Sequence, residues 1–353
     1  KTMPEPKPIA FDKIITALLD DHTPFPPRYL HRLSDLPLED ARALSKAWPN
    51  ISAARRIALL EDLQELTEAD DLLSFEDVCR LALKDPQAES RLLAVQILRQ
   101  YDLPELIPDF IYLAAGDPNP EVRAAAAGAL GIFVYMGEVE ELSASTLQRI
   151  EKCLLDIVHS QDEALVRRQA LEALGYSSHE EADTLIKQAY DTRNHDWLIS
   201  ALFAMGRSAD PVWKDQVVAM LDHSAPLVRA EAASAAGELE LADARPLLLQ
   251  MLRDPDHDVR MAAIWALSQV GGEDVRETLE KLLEVARDDE EAELLENALE
   301  NLEFTEEMQL FSFLDITDEE DEELFSGDED EEIISTDEED GADDRAGEGD
   351  IRA

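Results

Sequence analysis

One short pattern recurs along the chain at a nearly constant interval, and this interval limits the possible folds more than any other feature. The pattern is clearest in residues 254–271, DPDHDVRMAAIWALSQVG, where an Asp-Pro turn, a Val-Arg pair and an Ala-rich run precede a glycine. A period of a few tens of residues is typical of repeat proteins. With Arg260 as position zero, the equivalent residues are Arg229 and Leu198 at intervals of 31, then Arg167, Arg123, Arg91 and Arg56, with a degenerate last copy in 291–302.

The period also indicates what each unit contains. A unit of 31 residues has room for two helices of roughly 12 residues and two short turns. A single helical hairpin cannot bury its apolar side, so neighbouring copies must stack and share one core. The sequence therefore predicts an all-α fold, an α-α superhelix of about eight helical hairpins over residues 30–303.

Specific residues then point to a family. The Asp117-Pro118 turn, the Val122-Arg123 pair and the Ala126–Gly131 run resemble HEAT repeats, in particular the short repeats named after phycobilisome lyases. This resemblance implies the fold but leaves the function open, because the family includes scaffolds, carriers, lyases and a metal-dependent hydroxylase.

The resemblance also implies an arginine–aspartate ladder, in which the Arg at position zero and an Asp six residues before it pair between neighbouring repeats. Asp85, Asp117 and Asp254 occupy the aspartate position. Gln161 and His223 replace it in two copies, and Leu198 replaces the arginine in one. We therefore expect the ladder to be interrupted in the middle of the array.

Three parts of the chain are expected from these patterns. Residues 1–29 form an N-terminal extension, in which Phe11, Ile14, Ile15 and Leu18 share one helical face and favour a capping helix. A docking helix for a partner is the alternative. Residues 30–303 form the solenoid, with 136–143 as an extra loop in its longest repeat. Residues 304–353 form an acidic tail.

The tail differs from the rest of the chain in charge. It carries 22 acidic and 2 basic residues, a density too self-repulsive to pack, so we predict that it is disordered. Apolar groups interrupt it, and two roles remain open: a solubilising tail, or short motifs that bind a partner. The candidate partner-binding residues of the tail are Phe311, Phe313, Leu324 and Phe325.

Charge restricts the partners of the whole chain. The formal net charge is −49, which disfavours nucleic acid and anionic membrane surfaces and favours a protein with a basic surface. No apolar run approaches the roughly 20 residues of a membrane span, and no secretory signal precedes the first helix, so we expect a cytoplasmic protein. Cys79 and Cys153 are the two cysteines, which we interpret as buried thiols.

A helical wheel of the second helices separates two faces. Positions −1, +3, +6, +7 and +10 cluster on one side and are expected to be core. Positions +1, +5 and +8 point away, towards the concave surface in HEAT arrays. There Ile199, Phe203, Met261 and Trp265 are candidate partner-binding residues; packing between neighbouring repeats is the alternative interpretation.

The sequence contains no recognisable catalytic constellation. The seven histidines are scattered, and neither a phosphate-binding glycine loop nor a nucleophile motif occurs. We therefore predict no catalytic residue, metal or cofactor, and favour a non-catalytic scaffold or adaptor that binds protein through its concave face and acidic tail. The alternative is a phycobilin or chromophore lyase-like enzyme or its chaperone subunit, because that activity has no short sequence signature.

Overall fold

The computed structural model describes residues 9–286 and 289–304, and over these ranges every regular element is a helix. This confirms the all-α prediction. The α-helices are α1 (Phe11–Leu19), α2 (Leu38–Ala47), α3 (Ala53–Ala69), α4 (Glu76–Ala82), α5 (Ala88–Leu98), α6 (Ile107–Gly116), α7 (Pro120–Ala129), α8 (Gly131–Glu138), α9 (Ala144–His159), α10 (Ala164–Ala173), α11 (Ala182–Asp191), α12 (His195–Arg207), α13 (Lys214–Met220), α14 (Pro226–Glu238), α15 (Arg245–Met251), α16 (His257–Val270), α17 (Glu273–Leu283) and α18 (289–304).

Short 3-10 helices mark several of the turns. Proline stands in the first turn of many of them, because its fixed φ suits a helix start and its missing N–H needs no partner there. They span Pro27–Leu33, Trp48–Asn50, Pro104–Leu106, Leu174–Tyr176, Pro211–Trp213 and Ala242–Ala244.

The helices form a solenoid of two layers. The second helices of the repeats pack side by side in the order α3, α5, α7, α10, α12, α14 and α16, and first helices such as α6, α9, α11, α13 and α15 pack against them. Asn301 on α18 continues the stack, because its side-chain amide donates to the Ser268 carbonyl at 3.0 Å. This stacking is the predicted α-α superhelix.

Three of the eight residues of the predicted extra loop, 136–143, are helical. Met136 to Glu138 belong to α8 (Gly131–Glu138), and only 139–143 connect it to α9. The apolar run in this helix explains the difference, since Phe133 and Val134 are fully buried. The Phe133 ring lies 6.2 Å from the Phe110 ring. Within the predicted loop itself, Met136 and Leu142 are partly buried and pack against the same core.

Glycine at position +8 lets neighbouring second helices approach closely. A Cβ at Gly175 would lie 2.7 Å from the Ala204 Cα, and one at Gly237 would lie 2.8 Å from the Ala266 Cα. The same pairing of position +8 with position +6 of the next repeat joins Gly131 to Ala173 and Gly206 to Ala235. Small residues at both positions permit this backbone contact.

The arginine–aspartate ladder is present at both ends of the array. Each arginine contacts the carboxylate of the aspartate in the following repeat through its Nε and Nη2 atoms. In three of the pairs these atoms donate hydrogen bonds of 2.6 to 2.9 Å to the carboxylate oxygens. These hydrogen bonds hold the pKa values of Asp162 and Asp254 below their usual range. The pairs are Arg56–Asp85, Arg91–Asp117, Arg123–Asp162 and Arg229–Asp254.

One detail of the expected interruption was wrong. Gln161 does not break the ladder, because Asp162, one residue later, receives Arg123 at 2.6 Å. The interruption lies at the next two interfaces, where Arg167 and Leu198 have no ladder aspartate. The aspartate has moved by one position in this repeat, and the three-dimensional structure is needed to see that Asp162 still reaches Arg123.

At the N-terminus, α1 buries Phe11, Ile14 and Leu18 and packs against α2. No helix within the described residues is long and apolar enough to cross a membrane. Residue 304, the first of the predicted tail, is the last residue of α18. The predicted disorder of 305–353, and the candidate residues Phe311, Phe313, Leu324 and Phe325, lie outside the described residues. The boundaries at 29 and 303 remain predictions.

Candidate functional site

Two of the four candidate residues on the second helices share one cavity. Phe203 on α12 and Trp265 on α16 are both partly exposed and line a cavity of about 300 Å³. Ile199 and Met261 are also partly exposed, but they pack against the core and do not line this cavity. The structure therefore brings the two aromatic residues together across α14 and leaves the two aliphatic ones beside them.

Position +8 does not lie on the accessible face of the second helices, so this part of the helical-wheel prediction was wrong. Ser268 is buried, as are Gly175, Gly206 and Gly237. The close contact of these glycines with the following repeat explains their burial. An ideal wheel considers one helix alone and cannot show where the next helix crosses it. The accessible strip is therefore narrower than predicted.

Charged side chains that the sequence analysis missed complete the cavity. Its lining includes Arg207, Glu231 and Glu238. The Arg207 Nη1 lies 3.0 Å from a Glu238 carboxylate oxygen, and its guanidinium lies 5.0 Å from the centre of the Phe203 ring. Arg207 and Glu238 both occupy position +9 of successive repeats, so comparing that position between copies would have predicted their pairing.

Glu231 differs from its neighbours because it has no partner among the residues that the structure describes. Its side chain is mostly buried on α14, yet it makes no hydrogen bond or ion pair with any described residue. Burial raises the pKa of Glu231 to about 7, and the carboxylates of Glu172 and Glu238 act in the same direction against the opposing Arg207. A carboxylate in this position is poorly solvated when ionised and would gain from a cation.

Glu172 on α10 is the neighbouring acid, and it is fully engaged. It accepts the Ser200 hydroxyl at 2.6 Å and a hydrogen bond from the Gln169 amide. Burial raises the pKa of Glu172, while Ser200, Arg168 and Gln169 oppose the shift. The contrast between Glu172 and Glu231 indicates that the unpaired group is the one available to a ligand.

Other polar groups do not assemble into a reactive centre. Among the described residues, no three His, Cys, Asp or Glu side chains are placed to hold a metal ion. Cys79 is buried, and its burial raises the pKa of the thiol. A larger cavity of about 670 Å³ near Tyr112 and Asp109 is lined in part by the ladder residues Arg91 and Asp117 and by none of the candidate partner-binding residues.

Comparisons with known proteins agree with the repeat pattern. Residues 76–156 and 214–303 match the family of HEAT repeats. A search of curated proteins gives no match.

Solved structures resemble the chain at low identity. Escherichia coli YibA is 17% identical with a TM-score of 0.41, over 80% of this chain and 98% of that one. Human deoxyhypusine hydroxylase with glycerol is 20% identical with a TM-score of 0.33, over 74% and 95%. Importin beta is 13% identical with a TM-score of 0.41, over 83% and 46%. At these values the structures transfer no function.

Proposed function

Since the chain contains HEAT repeats, we propose that it is a protein-binding scaffold whose second helices α12, α14 and α16 hold a basic segment of a partner. The observation that carries this proposal is the unpaired, mostly buried Glu231 in a cavity lined by Phe203 and Trp265. A repeat scaffold offers such a surface on rigid, neighbouring helices.

The chemistry of the cavity selects the partner. A lysine or arginine side chain entering it would place its charge near Glu231 and its aliphatic stem against the Trp265 ring. The charge of −49 attracts a basic partner over longer distances and raises its association rate. The partly exposed Ile199 and Met261 would receive apolar residues flanking the basic one. Under this proposal the acidic tail adds attraction, and no catalytic step is required.

Site-directed photocrosslinking tests the location. A photoreactive phenylalanine analogue at Ser234, which lines the cavity, should form adducts with a partner in native lysate. The matched position is Lys187, which is exposed on the first helix α11 and should form none of the same adducts. The captured protein is then purified and its affinity measured by fluorescence anisotropy.

The affinity measurements decide the mechanism. Trp265→Ala and Glu231→Gln should each weaken binding at least tenfold, and raising the salt concentration should weaken it further. Phe203→Ala should have a smaller effect because Arg207 covers part of its ring. Equal adducts at both positions, or affinities unchanged in Trp265→Ala and Glu231→Gln, would remove the cavity from the proposal.

A further inference from the structure

The interrupted part of the ladder contains a second cavity. It measures about 400 Å³ and lies where α9, α10, α11 and the start of α12 meet, with Arg167, Trp197, Gln188 and Thr192 in its lining. This volume falls in the range of small-ligand sites. The cavity lies at the turns between repeats and shares no lining residue with the one around Glu231.

Arg167 is a ladder arginine without its carboxylate. In the neighbouring repeats Arg91 and Arg123 donate two parallel hydrogen bonds to an aspartate of the next repeat. The Arg167 Nε instead donates to the Val158 carbonyl at 3.0 Å. Its Nη1 and Nη2 atoms have no hydrogen-bond partner among the described residues, and its guanidinium lies 5.4 Å from the centre of the Trp197 ring.

Thr192 occupies the place of the missing aspartate. The Asp117 carboxylate accepts the backbone N–H two residues later, from Asn119 at 2.9 Å, and Asp254 accepts that of Asp256 in the same way. The Thr192 hydroxyl accepts the N–H of Asn194 at 3.3 Å. The turn is therefore built as in the other repeats, but the second carboxylate oxygen that would meet the arginine is absent.

From this geometry we infer that the Arg167 cavity binds a carboxylate, supplied by an aspartate or glutamate side chain of a partner protein. The two free N–H edges of the guanidinium match the two oxygens of a carboxylate. The half-buried setting against Trp197 limits competition from water. The ligand carboxylate meets Nη1 and Nη2, because the Nε that Asp117 and Asp162 engage on their own arginines donates to the Val158 carbonyl at Arg167.

The test uses the full chain and a small probe. N-acetyl-glutamate α-amide carries one side-chain carboxylate, and N-acetyl-glutamine α-amide is its neutral match. Titration followed by the ¹⁵N resonance of the Arg167 Nε–H should show a saturable shift with the first compound and none with the second. We expect a dissociation constant on the order of millimolar, because a single partly exposed charge pair contributes little.

Two matched variants separate ligand binding from folding. Thr192→Asp supplies the carboxylate from within the chain, and should weaken probe binding at least tenfold and raise the melting temperature. Thr192→Asn has nearly the same shape without the charge, and should keep the binding of the parent chain. Thr192 is exposed, so both variants should fold, which circular dichroism verifies.

Three results would overturn the inference. They are a shift with the neutral compound equal to that with the acid, binding unchanged in Thr192→Asp, and inorganic phosphate binding as tightly as the carboxylate. The last would show a general anion site with no preference for the planar group. None of these results bears on binding at Glu231, because the probe carries no positive side chain.

Discussion

The α3–α5 interface and the α12–α14–α16 face both contain a buried carboxylate. Only the carboxylate at the α3–α5 interface is paired with an arginine. At the α3–α5 interface Asp85 receives Arg56 at 2.6 Å and the Trp48 indole N–H at 2.9 Å, and all its contacts are inside the array. On the other face Glu231 is mostly buried with no partner among the described residues. A paired buried charge joins two repeats, whereas an unpaired one is kept at a cost in stability and is a candidate for binding.

The same two regions differ in how closely their helices approach. The second helices α3 and α5 carry Gln64 and Arg99 at position +8, whereas α10, α12 and α14 carry glycine there. The N-terminal interface is therefore held by a buried ion pair. The central interfaces depend on contact between helix backbones, as at Gly175 and Ala204. A different kind of substitution should therefore destabilise each region.

The largest effect is expected at the paired site. Asp85→Ala should lower the free energy of unfolding by about 3–5 kcal/mol, because it leaves Arg56, which is 7% exposed, as an uncompensated buried charge. Urea denaturation followed by circular dichroism measures the loss. Asp191→Ala, which removes the exposed pair with Lys187, is the control and should cost less than about 0.5 kcal/mol. Similar losses in both variants would show that the buried pair has no special role.

The unpaired site should respond to pH. The raised pKa of Glu231 means that its favourable, protonated form is lost as pH rises through about 7. Glu231→Gln should match the parent chain below about pH 4.5 and be more stable at pH 8.5, by at most about 3 kcal/mol, from the shift between 4.5 and about 7. Glu61→Gln, an exposed glutamate on α3, serves as the control.

Thermal denaturation over this pH range decides the matter. A difference between Glu231→Gln and the parent chain that stays constant from pH 5 to 8.5 would contradict a buried, unpaired carboxylate. A bound basic partner should reduce the difference, because it supplies the missing positive charge.

The smallest of the three effects is expected at the central contact. Gly175→Ala should destabilise the array by about 2 kcal/mol, because the new Cβ would lie 2.7 Å from the Ala204 Cα and 2.9 Å from its carbonyl oxygen. Gly116→Ala is the matched control, since a Cβ there meets nothing within 4 Å. We expect it to be neutral or slightly stabilising. Equal melting temperatures for the two variants would contradict the close approach.

The repeat spacing was sufficient to predict the helical solenoid, because hairpins of this length have few other ways to bury their apolar sides. It also placed Phe203 and Trp265 on a common face. It could not predict Glu231, because the burial of a carboxylate depends on how three helices pack. The prediction that Ser268 and the glycines at position +8 lie on the open face was wrong for the same reason. Asp162 was missed because the ladder aspartate of its repeat stands one residue later in the turn than in the other repeats.

The recurring contact between Gly at +8 and Ala at +6 of the next repeat has a consequence for how such a chain can change over generations. Because Gly175 meets Ala204 as Gly206 meets Ala235, adjoining units present the same mating surfaces. Loss or duplication of one unit of DNA would join surfaces that already fit. The number of repeats can therefore change during evolution while the contacts between neighbouring repeats stay the same. The cavity around Glu231 is lined by three successive repeats, so a deletion or insertion among those three would destroy it.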